Sequence, residues 1–309
     1  MNGVWKRSSL VAVVLLTAGC SVRRFAVNRI GDALAAGGST FESDDDLQLV
    51  GDALPFGLKL IESMLAESPR HKGLLLAACR GFTLYAYAYV HQEADRVAPE
   101  DLERANQLRA RARKLYSRSR RYGLRALELF YPGITQKLEG EPKAAVAVVR
   151  KKDVPLLYWN AAALGLAVSA ARHDAELLAR LPEVEALIDR ALELDEGWQD
   201  GALHEFQVVY AGTRPGSSPP DFGRIKKHFD RALELSGGRR AGLFVAYAEA
   251  VSIRTQNRAE FRAMLEKAAA IDPDQHEQVR LPNLIAHKRA RWLLGRADEL
   301  FLEEEGACK

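Results

Sequence analysis

The sequence predicts an all-α protein built from repeated antiparallel helix pairs, and two observations support this prediction. Apolar residues recur with the 3.6-residue period of a helix throughout the chain, whereas few windows show the alternation of a strand. The stretch RALEL occurs at 125–129, at 190–194 and at 231–235, and a weaker copy, KAAAI, occupies 267–271. A helical unit that repeats at roughly 35 to 45 residues is the mark of a helical solenoid.

Each copy carries a small residue at its second position, which lets one helix backbone lie close to the next. These residues are Ala126, Ala191, Ala232 and Ala268. In the last copy, Phe261, Leu265, Ala268 and Pro273 have the spacing that ends a tetratricopeptide (TPR) unit. The other copies keep the alanine and lack the proline. We therefore predict a TPR-like superhelical array.

The first 20 residues differ from the rest of the chain. Lys6 and Arg7 precede a short apolar run at 10–16, and small residues then lead to Cys20. The apolar run is too short to span a bilayer, so residues 1–19 are predicted to be a signal peptide. Small residues before a cysteine are typical of a bacterial lipoprotein cleavage site. The alternative is an ordinary signal peptide with a chance cysteine.

Cleavage before Cys20 would make this residue the diacylated, palmitate-bearing start of the mature chain, and two acyl chains give stable anchoring. Ser21 follows it, which predicts export to the outer membrane of a Gram-negative host. The mature protein would be a periplasm-facing lipoprotein, with its tether and first helix at 20–43 and its TPR-like domain at 44–309. Cleavage removes two cations from a formal net charge of +3, so little net charge remains. Nucleic acid is not an expected partner of an exported protein.

The helical domain begins with three acidic residues at 44–46, where the helix dipole favours negative charge. The helix that follows has one apolar stripe and ends at 68–69. The stripe consists of Leu54, Leu58, Ile61 and Leu65. The next helix, about 71–96, is apolar nearly all round, which predicts a buried helix. It contains Cys79, for which a buried thiol is expected, with a bridge to Cys308 as the alternative.

Aromatic residues in two helices raise the question of a ligand cavity. Phe82, Tyr85 and Tyr89 share one face of the helix at 71–96, whereas Tyr87 points elsewhere. They form either a cavity wall or ordinary core packing. Trp159 precedes a run of slim residues, and such a run leaves room for a ligand or for a neighbouring helix.

A long helix, from Pro99 to about Phe130, is strongly basic. It holds nine basic residues and no acid between Arg104 and Arg125. This composition suits an anionic lipid surface or an acidic partner. The alternative is a solvated face whose long aliphatic stems cover apolar surface.

The rest of the chain predicts a short helix, three helix pairs and a closing helix. The short helix is expected at 142–149 and the closing helix at 277–304. The pairs are 155–172 with 182–195, 198–211 with 221–236, and 239–255 with 258–271.

The sequence lacks the usual motifs of catalysis and metal binding. It contains no G-x-S-x-G, no G-x-x-x-x-G-K-[ST] and no H-E-x-x-H motif, and its seven histidines include no i, i+4 pair. His228 is interpreted as a surface histidine. We therefore predict no enzymatic activity, no metal site and no cofactor, and we expect a binding function.

Six segments that follow the predicted signal peptide resemble the T-component (TatT) family of tripartite ATP-independent periplasmic (TRAP) transporters. They are residues 52–63, 85–88, 157–159, 187–194, 228–235 and 289–294. The resemblance covers nearly all of the mature chain. Gly57 departs from it, because a small alanine-like residue is expected there, and the glycine weakens that helix slightly.

This resemblance implies an accessory transporter subunit that forms a homotrimer. Its implied partner is the periplasmic solute-binding (P) subunit, and each subunit would enclose a pore or cleft for an apolar or amphipathic small molecule. On this hypothesis, four aromatic residues line part of the pore. They are Phe82, Tyr85, Tyr89 and Trp159. The alternative function is a TPR scaffold lipoprotein that organises an envelope assembly without a small-molecule ligand.

Overall fold

The computed structural model describes residues 28–33, 38–216 and 220–302, and within these ranges it contains helices and no strands. The all-α prediction is confirmed. Besides a helical turn at 28–33, the helices are α1 (Gly38–Glu42), α2 (Leu47–Glu67), α3 (Lys72–Val97), α4 (Leu102–Phe130), α5 (Ile134–Gly140), α6 (Pro142–Val146), α7 (Val154–Ala170), α8 (Ala175–Leu178), α9 (Leu181–Asp195), α10 (Ala202–Thr213), α11 (Phe222–Ser236), α12 (Ala241–Ser252), α13 (Arg258–Ala270), α14 (Arg280–Gly295) and α15 (Ala297–Leu300).

Four consecutive helix pairs form the body of the protein: α3 with α4, α7 with α9, α10 with α11, and α12 with α13. The last three are the pairs that the sequence predicts. The second helix of each pair also packs against the first helix of the next, and α13 packs against α14 in the same way. This two-layer stacking is compatible with the predicted TPR-like array.

The alanines of the repeated stretch lie where helices approach one another. Ala126, Ala191, Ala232 and Ala268 are all 0% exposed. Gly201, which has a φ of +87°, sits in the turn between α9 and α10 against Ala232. A Cβ atom at Gly201 would lie 3.1 Å from the Ala232 Cα, so both positions need small residues.

Two predicted helix boundaries are wrong. The closing helix does not run from 277 to 304, because two 3-10 turns precede α14 and a break at Arg296 ends it. The turns reflect the backbone of His276, whose φ of −141° and ψ of 82° cannot continue a helix. Helix α4 begins at Leu102 and not at Pro99, since the Asp101 carboxylate caps it by accepting a hydrogen bond from the Arg104 amide at 2.8 Å.

Helix α3 is the buried helix that the sequence predicts. It is long and apolar enough to cross a membrane by composition, but it packs against α2, α4 and α7 as a core helix. Cys79 in its middle is fully buried, and burial raises the pKa of the thiol to about 11. Cys308 lies outside the described residues.

The last long helix returns to the start of the array. Helix α14 packs against α1, α2, α12 and α13. The Arg280 guanidinium donates to the Ser43 carbonyl at 2.9 Å, and the Arg289 guanidinium pairs with Asp95 of α3 at 3.1 Å. The helix array is therefore closed on itself by contacts between its first and last parts.

Candidate functional site

Five helices surround the centre of this closed array, and we call them the inner helices: α3, α7, α10, α12 and α14. Each contacts the next in this order, and the ion pair between Arg289 and Asp95 joins the last to the first. The second helices of the pairs pack outside them, between successive inner helices. The space enclosed by the inner helices is called the central opening below.

An ion pair between α10 and the residue that precedes α12 lies at the central opening. The Arg240 Nε donates to Glu205 Oε2 at 2.6 Å, and the two side chains are 16% and 20% exposed. Gly242 makes room for this pair, because a Cβ atom there would come within 2.6 Å of Glu205 Oε1. The position of Gly242 next to Glu205 explains why a glycine is needed there, which the helix pattern alone does not indicate.

A second ion pair joins α1 to the same region. Glu42 pairs with Arg80 of α3, and their side chains are about equally exposed. Burial raises the pKa of Glu42, and the neighbouring Arg80 and the more distant Arg240 oppose that rise. Two guanidinium groups, one from α3 and one from the residue before α12, therefore act on one carboxylate.

Two tyrosines combine solvent access with enclosure by protein. Tyr87 is 38% exposed, yet burial raises the pKa of its phenol, which Arg289 lowers and Glu249 and Glu205 raise. Burial also raises the pKa of the half-buried Tyr158 to about 12, together with Glu205. The charged groups that act on these phenols lie on or next to α10, α12 and α14, so Tyr87 and Tyr158 lie among the inner helices.

Aromatic rings cover one side of this space. Tyr158 packs against Trp159, Trp198 and Phe206, with ring centroids 4.9, 4.8 and 6.2 Å away. Trp198 and Phe206 are partly exposed, whereas Trp159 is 7% exposed. The central opening thus has an aromatic wall from α7, α10 and the turn before α10, next to the charged pair of Arg240 and Glu205.

The closing contact forms a second charged group at the opening. The Arg289 guanidinium donates to Glu249 Oε1 at 2.6 Å as well as to Asp95 Oδ2 at 3.1 Å, and it lies 4.4 Å from the Trp292 ring. Two of these partners stand in or beside π-helical segments, since Glu249 lies within Ala248–Ser252 and Asp95 follows Ala86–His91. Such segments are frequent at functional sites.

The four predicted lining residues do not form one group in the structure. Phe82, the pair of Tyr85 and Tyr89, and Trp159 each pack against different side chains. Phe82 is 3% exposed and stacks on Tyr122 of α4, with ring centroids 6.0 Å apart. Tyr85 and Tyr89 stack on each other at 5.7 Å. The Tyr85 hydroxyl accepts from Arg111 of α4 at 3.2 Å, and the Tyr89 hydroxyl donates to the Leu47 carbonyl of α2 at 2.8 Å.

Trp159 packs with Cys79 and Ala162 between inner helices, so it touches the aromatic wall without sharing the contacts of the other three. The role of the four residues in ligand binding stays a prediction. Cys20, the predicted lipid attachment residue, lies outside the described residues.

His228, interpreted from the sequence as a surface histidine, is partly exposed and contacts a second histidine. Its Nδ1 lies 2.8 Å from the Nδ1 of His204, and the His204 Nε2 lies 3.1 Å from Glu196 Oε1. Burial, His204 and Arg224 lower the pKa of His228 to about 4. Helical packing brings together two histidines that are 24 residues apart, which no short motif could indicate. Among the described residues, no group of three or more potential ligands is arranged to hold a metal ion.

Sequence reasoning missed the residues that surround the central opening. Glu205 and Arg289 belong to α10 and α14, and Arg240 immediately precedes α12, so their proximity depends on the packing of three parts of the array. Tyr87 was noted only as pointing away from the other aromatic residues. Its position off that face, at the start of a π-helical segment, is the one local signal of an inward orientation.

The described residues form an all-α protein whose inner helices bring charged and aromatic side chains together. The profile of the TRAP transporter T-component family matches residues 43–301, and the chain belongs to this family. A protein of Treponema pallidum (strain Nichols), described as uncharacterized, is 32% identical over 94% of this chain and 96% of its own length. Family membership supports a T-component role in a TRAP transporter system, and this family is one of transporter accessory components and not of enzymes.

Proposed function

We propose that this T component is a periplasm-facing lipoprotein, anchored through Cys20, that binds the solute-binding (P) subunit and holds or relays its ligand. The ligand is an amphipathic small molecule in the central opening. The observation that carries the proposal is the pair of solvent-accessible but enclosed phenols, Tyr87 and Tyr158, beside Arg240 and Glu205. The homotrimer that the family resemblance implies is part of the same proposal.

The lining of the opening favours an amphipathic ligand over a wholly apolar one. The rings of Tyr158, Trp198 and Phe206 offer an apolar surface for the body of a ligand. An apolar molecule that filled the opening would also strip water from Arg240 and Glu205, which is costly for partly exposed charges. A polar head group restores hydrogen bonds to that pair. Accessory recognition of this kind needs no chemical step.

The test of the ligand is native mass spectrometry of the protein purified from its own cell envelope. We expect a bound small molecule in the wild type and roughly tenfold weaker retention in Tyr87→Ala, because a phenol contact with the ligand is lost. Phe56→Ala is the matched control, since Phe56 is an aromatic residue 76% exposed on the outer helix α2. Equal retention in both variants would contradict binding at Tyr87.

The test of the partner is co-purification with the solute-binding subunit of the same transporter, with and without the transported solute. We expect a complex whose amount depends on the solute. If no complex forms under either condition and no small molecule is retained, the TPR scaffold that organises an envelope assembly becomes the better hypothesis.

A further inference from the structure

A cluster of four exposed cations lies at one end of the array, and we call it the basic face: Arg70, Lys72, Arg125 and Lys152. Lys72 and Lys152 hold their ammonium groups 3.5 and 5.7 Å from the centroid of one ring, that of Phe130. The Arg125 guanidinium donates to the Pro69 carbonyl at 2.9 Å, next to Arg70. The basic face therefore joins three parts of the chain that are distant in sequence: the turn into α3, the end of α4 and the segment before α7.

Four arginines of helix α4 that precede Arg125 differ from the cations of the basic face, because they are neutralised within the protein. They are Arg109 with Asp95, Arg113 with Asp174, Arg118 with Glu62, and Arg120 with Glu183. Within residues 28–33, 38–216 and 220–302, none of the four cations of the basic face makes a salt bridge. Their positive charge is available to an external partner.

Three carboxylates lie near these cations, and each has a partner of its own. The Asp32 carboxylate, which is 69% exposed, lies 3.3 Å from His71 Nε2. Glu128 accepts from the amides of Gly133 and Thr135, which lower its pKa. Asp153 is 5% exposed and accepts from the Tyr131 hydroxyl at 2.5 Å. The basic face thus presents a positive surface in a protein whose charges are otherwise nearly balanced.

The chain enters the described structure next to this face. The Ser68 hydroxyl donates to Asn28 Oδ1 at 2.7 Å, and the His71 Nε2 lies 3.2 Å from the Asn28 carbonyl. A depression of about 500 Å³ runs between residues 28–32 and 68–73, and Arg70 and Lys72 contribute to its wall. Cys20 precedes Asn28 by eight residues, which can span at most about 29 Å.

We propose that the basic face rests on anionic phospholipid head groups beside the lipid anchor. The inference depends on the lipid anchoring proposed above, since that anchor brings the face near a membrane. Anionic lipid attracts each nearby cation, and a few cations supplement acyl chains in holding a protein to a membrane. Helix α3 starts at the face and leads away from it, so the contact between Arg289 and Asp95 would lie about 35 Å further from the membrane. That end of the central opening would face the periplasm.

The experiment measures the rate of lysine acetylation in the purified protein bound to vesicles. The protein is the whole chain that remains after removal of the signal peptide. We expect Lys72 and Lys152 to be labelled at least roughly tenfold more slowly on vesicles containing phosphatidylglycerol than on phosphatidylcholine alone. Lys227 and Lys267, exposed on α11 and α13, serve as internal controls with unchanged rates. The protection should disappear at high salt. Equal labelling of Lys72 and Lys152 on both kinds of vesicle would overturn the proposal.

A variant with the same loss of charge elsewhere tests the location. One protein carries Arg70→Gln, Lys72→Gln, Arg125→Gln and Lys152→Gln, and its control carries Arg104→Gln, Lys227→Gln, Arg262→Gln and Lys267→Gln. Removal of the basic face should weaken binding to anionic vesicles roughly fivefold for each cation, whereas the control should bind like the wild type. Equal weakening in both proteins would mean non-specific charge attraction and would refute the assigned face.

The two proposals, lipid anchoring through Cys20 and lipid binding by the basic face, can fail separately, and the experiments distinguish the two failures. The mass of the purified chain reports whether Cys20 carries acyl groups. If it does not, anchoring is lost, while labelling of the unacylated chain added to anionic vesicles still decides whether the face binds lipid. Binding to the solute receptor is measured separately and does not depend on either result.

Discussion

Two ion pairs of the same chemistry occupy different parts of this protein, one inside the wall of the array and one at the central opening. Arg120 of α4 pairs with Glu183 of α9, and their side chains are 6% and 4% exposed. Arg240, just before α12, pairs with Glu205 of α10, and these side chains are 16% and 20% exposed. Glu183 also accepts from Arg180 Nε at 2.7 Å, so protein donors already occupy both of its oxygens, whereas water reaches the second pair.

The environment of each pair indicates its purpose. Burial lowers the pKa of Arg120 to about 10 in spite of Glu183, and its Nη1 also donates to the Asn160 carbonyl at 3.4 Å. A pair sealed in this way is costly to break, because either partner alone would be a buried charge. The pair at the opening can give up a hydrogen bond to a ligand at a smaller cost. Four predictions test this distinction between wall and opening.

The largest expected effect separates Trp159 from Tyr87. Trp159 is 7% exposed in the wall, so Trp159→Ala should lower the free energy of unfolding by about 3–5 kcal/mol. Tyr87→Ala should lower it by about 1 kcal/mol or less, because Tyr87 is 38% exposed. Urea unfolding of both variants measures the difference. If Trp159→Ala also costs only about 1 kcal/mol or less, Trp159 is not packed in the interior of the array and belongs with the residues at the opening.

Glu183→Gln tests the sealed pair. We expect a loss of about 3 kcal/mol in the free energy of unfolding, because Arg120 keeps a buried charge while the amide retains some hydrogen bonding. Asp230→Asn is the control, since Asp230 pairs with Lys226 on the surface and the two side chains are 55% and 54% exposed. That exposed pair should contribute less than about 0.5 kcal/mol. If Glu183→Gln lowers the free energy of unfolding no more than the control does, the pair of Arg120 and Glu183 is not shielded from water in solution.

The wall was more predictable from the sequence than the opening. Three helix pairs, the buried helix α3 and the close-packed alanines follow from hydrophobic period and local repeats, which are properties of single segments. Arg289 and Asp95 are 194 residues apart, and nothing local indicates that they meet. The same holds for His204 and His228, and the break at His276 depends on a backbone conformation that helix periodicity does not encode.

Arg289→Gln tests the closure of the array. Arg289 pairs with Asp95 and Glu249 and is 14% exposed, so its replacement should cost about 1.5 kcal/mol, as for hydrogen bonds to partly screened charges. We expect faster amide hydrogen exchange in α14 and at residues 86–97, with little change in α9. Arg296→Gln, which removes a pair with Glu299 within the same turn, is the control. Unchanged exchange at 86–97 would mean that the closure does not depend on this arginine.

The smallest expected effect concerns pH and the paired histidines outside the wall. Glu196 and Arg231 lie beside His204, and Arg224 acts on His228, whose pKa is lowered to about 4. Because the folded pKa lies below the ordinary value of about 6.5, the stabilisation is complete above pH 6.5 and is lost as the pH falls towards 4. For a partly solvated ring we expect a loss of about 1 kcal/mol over this range. His228→Gln removes the titrating group, so thermal unfolding of this variant should depend less on pH between 6.5 and 4 than that of the wild type. His173→Gln, at an exposed position after α7, is the control and should keep the wild-type dependence. If both variants follow the wild type, the contact between His204 and His228 does not hold the pKa down in solution.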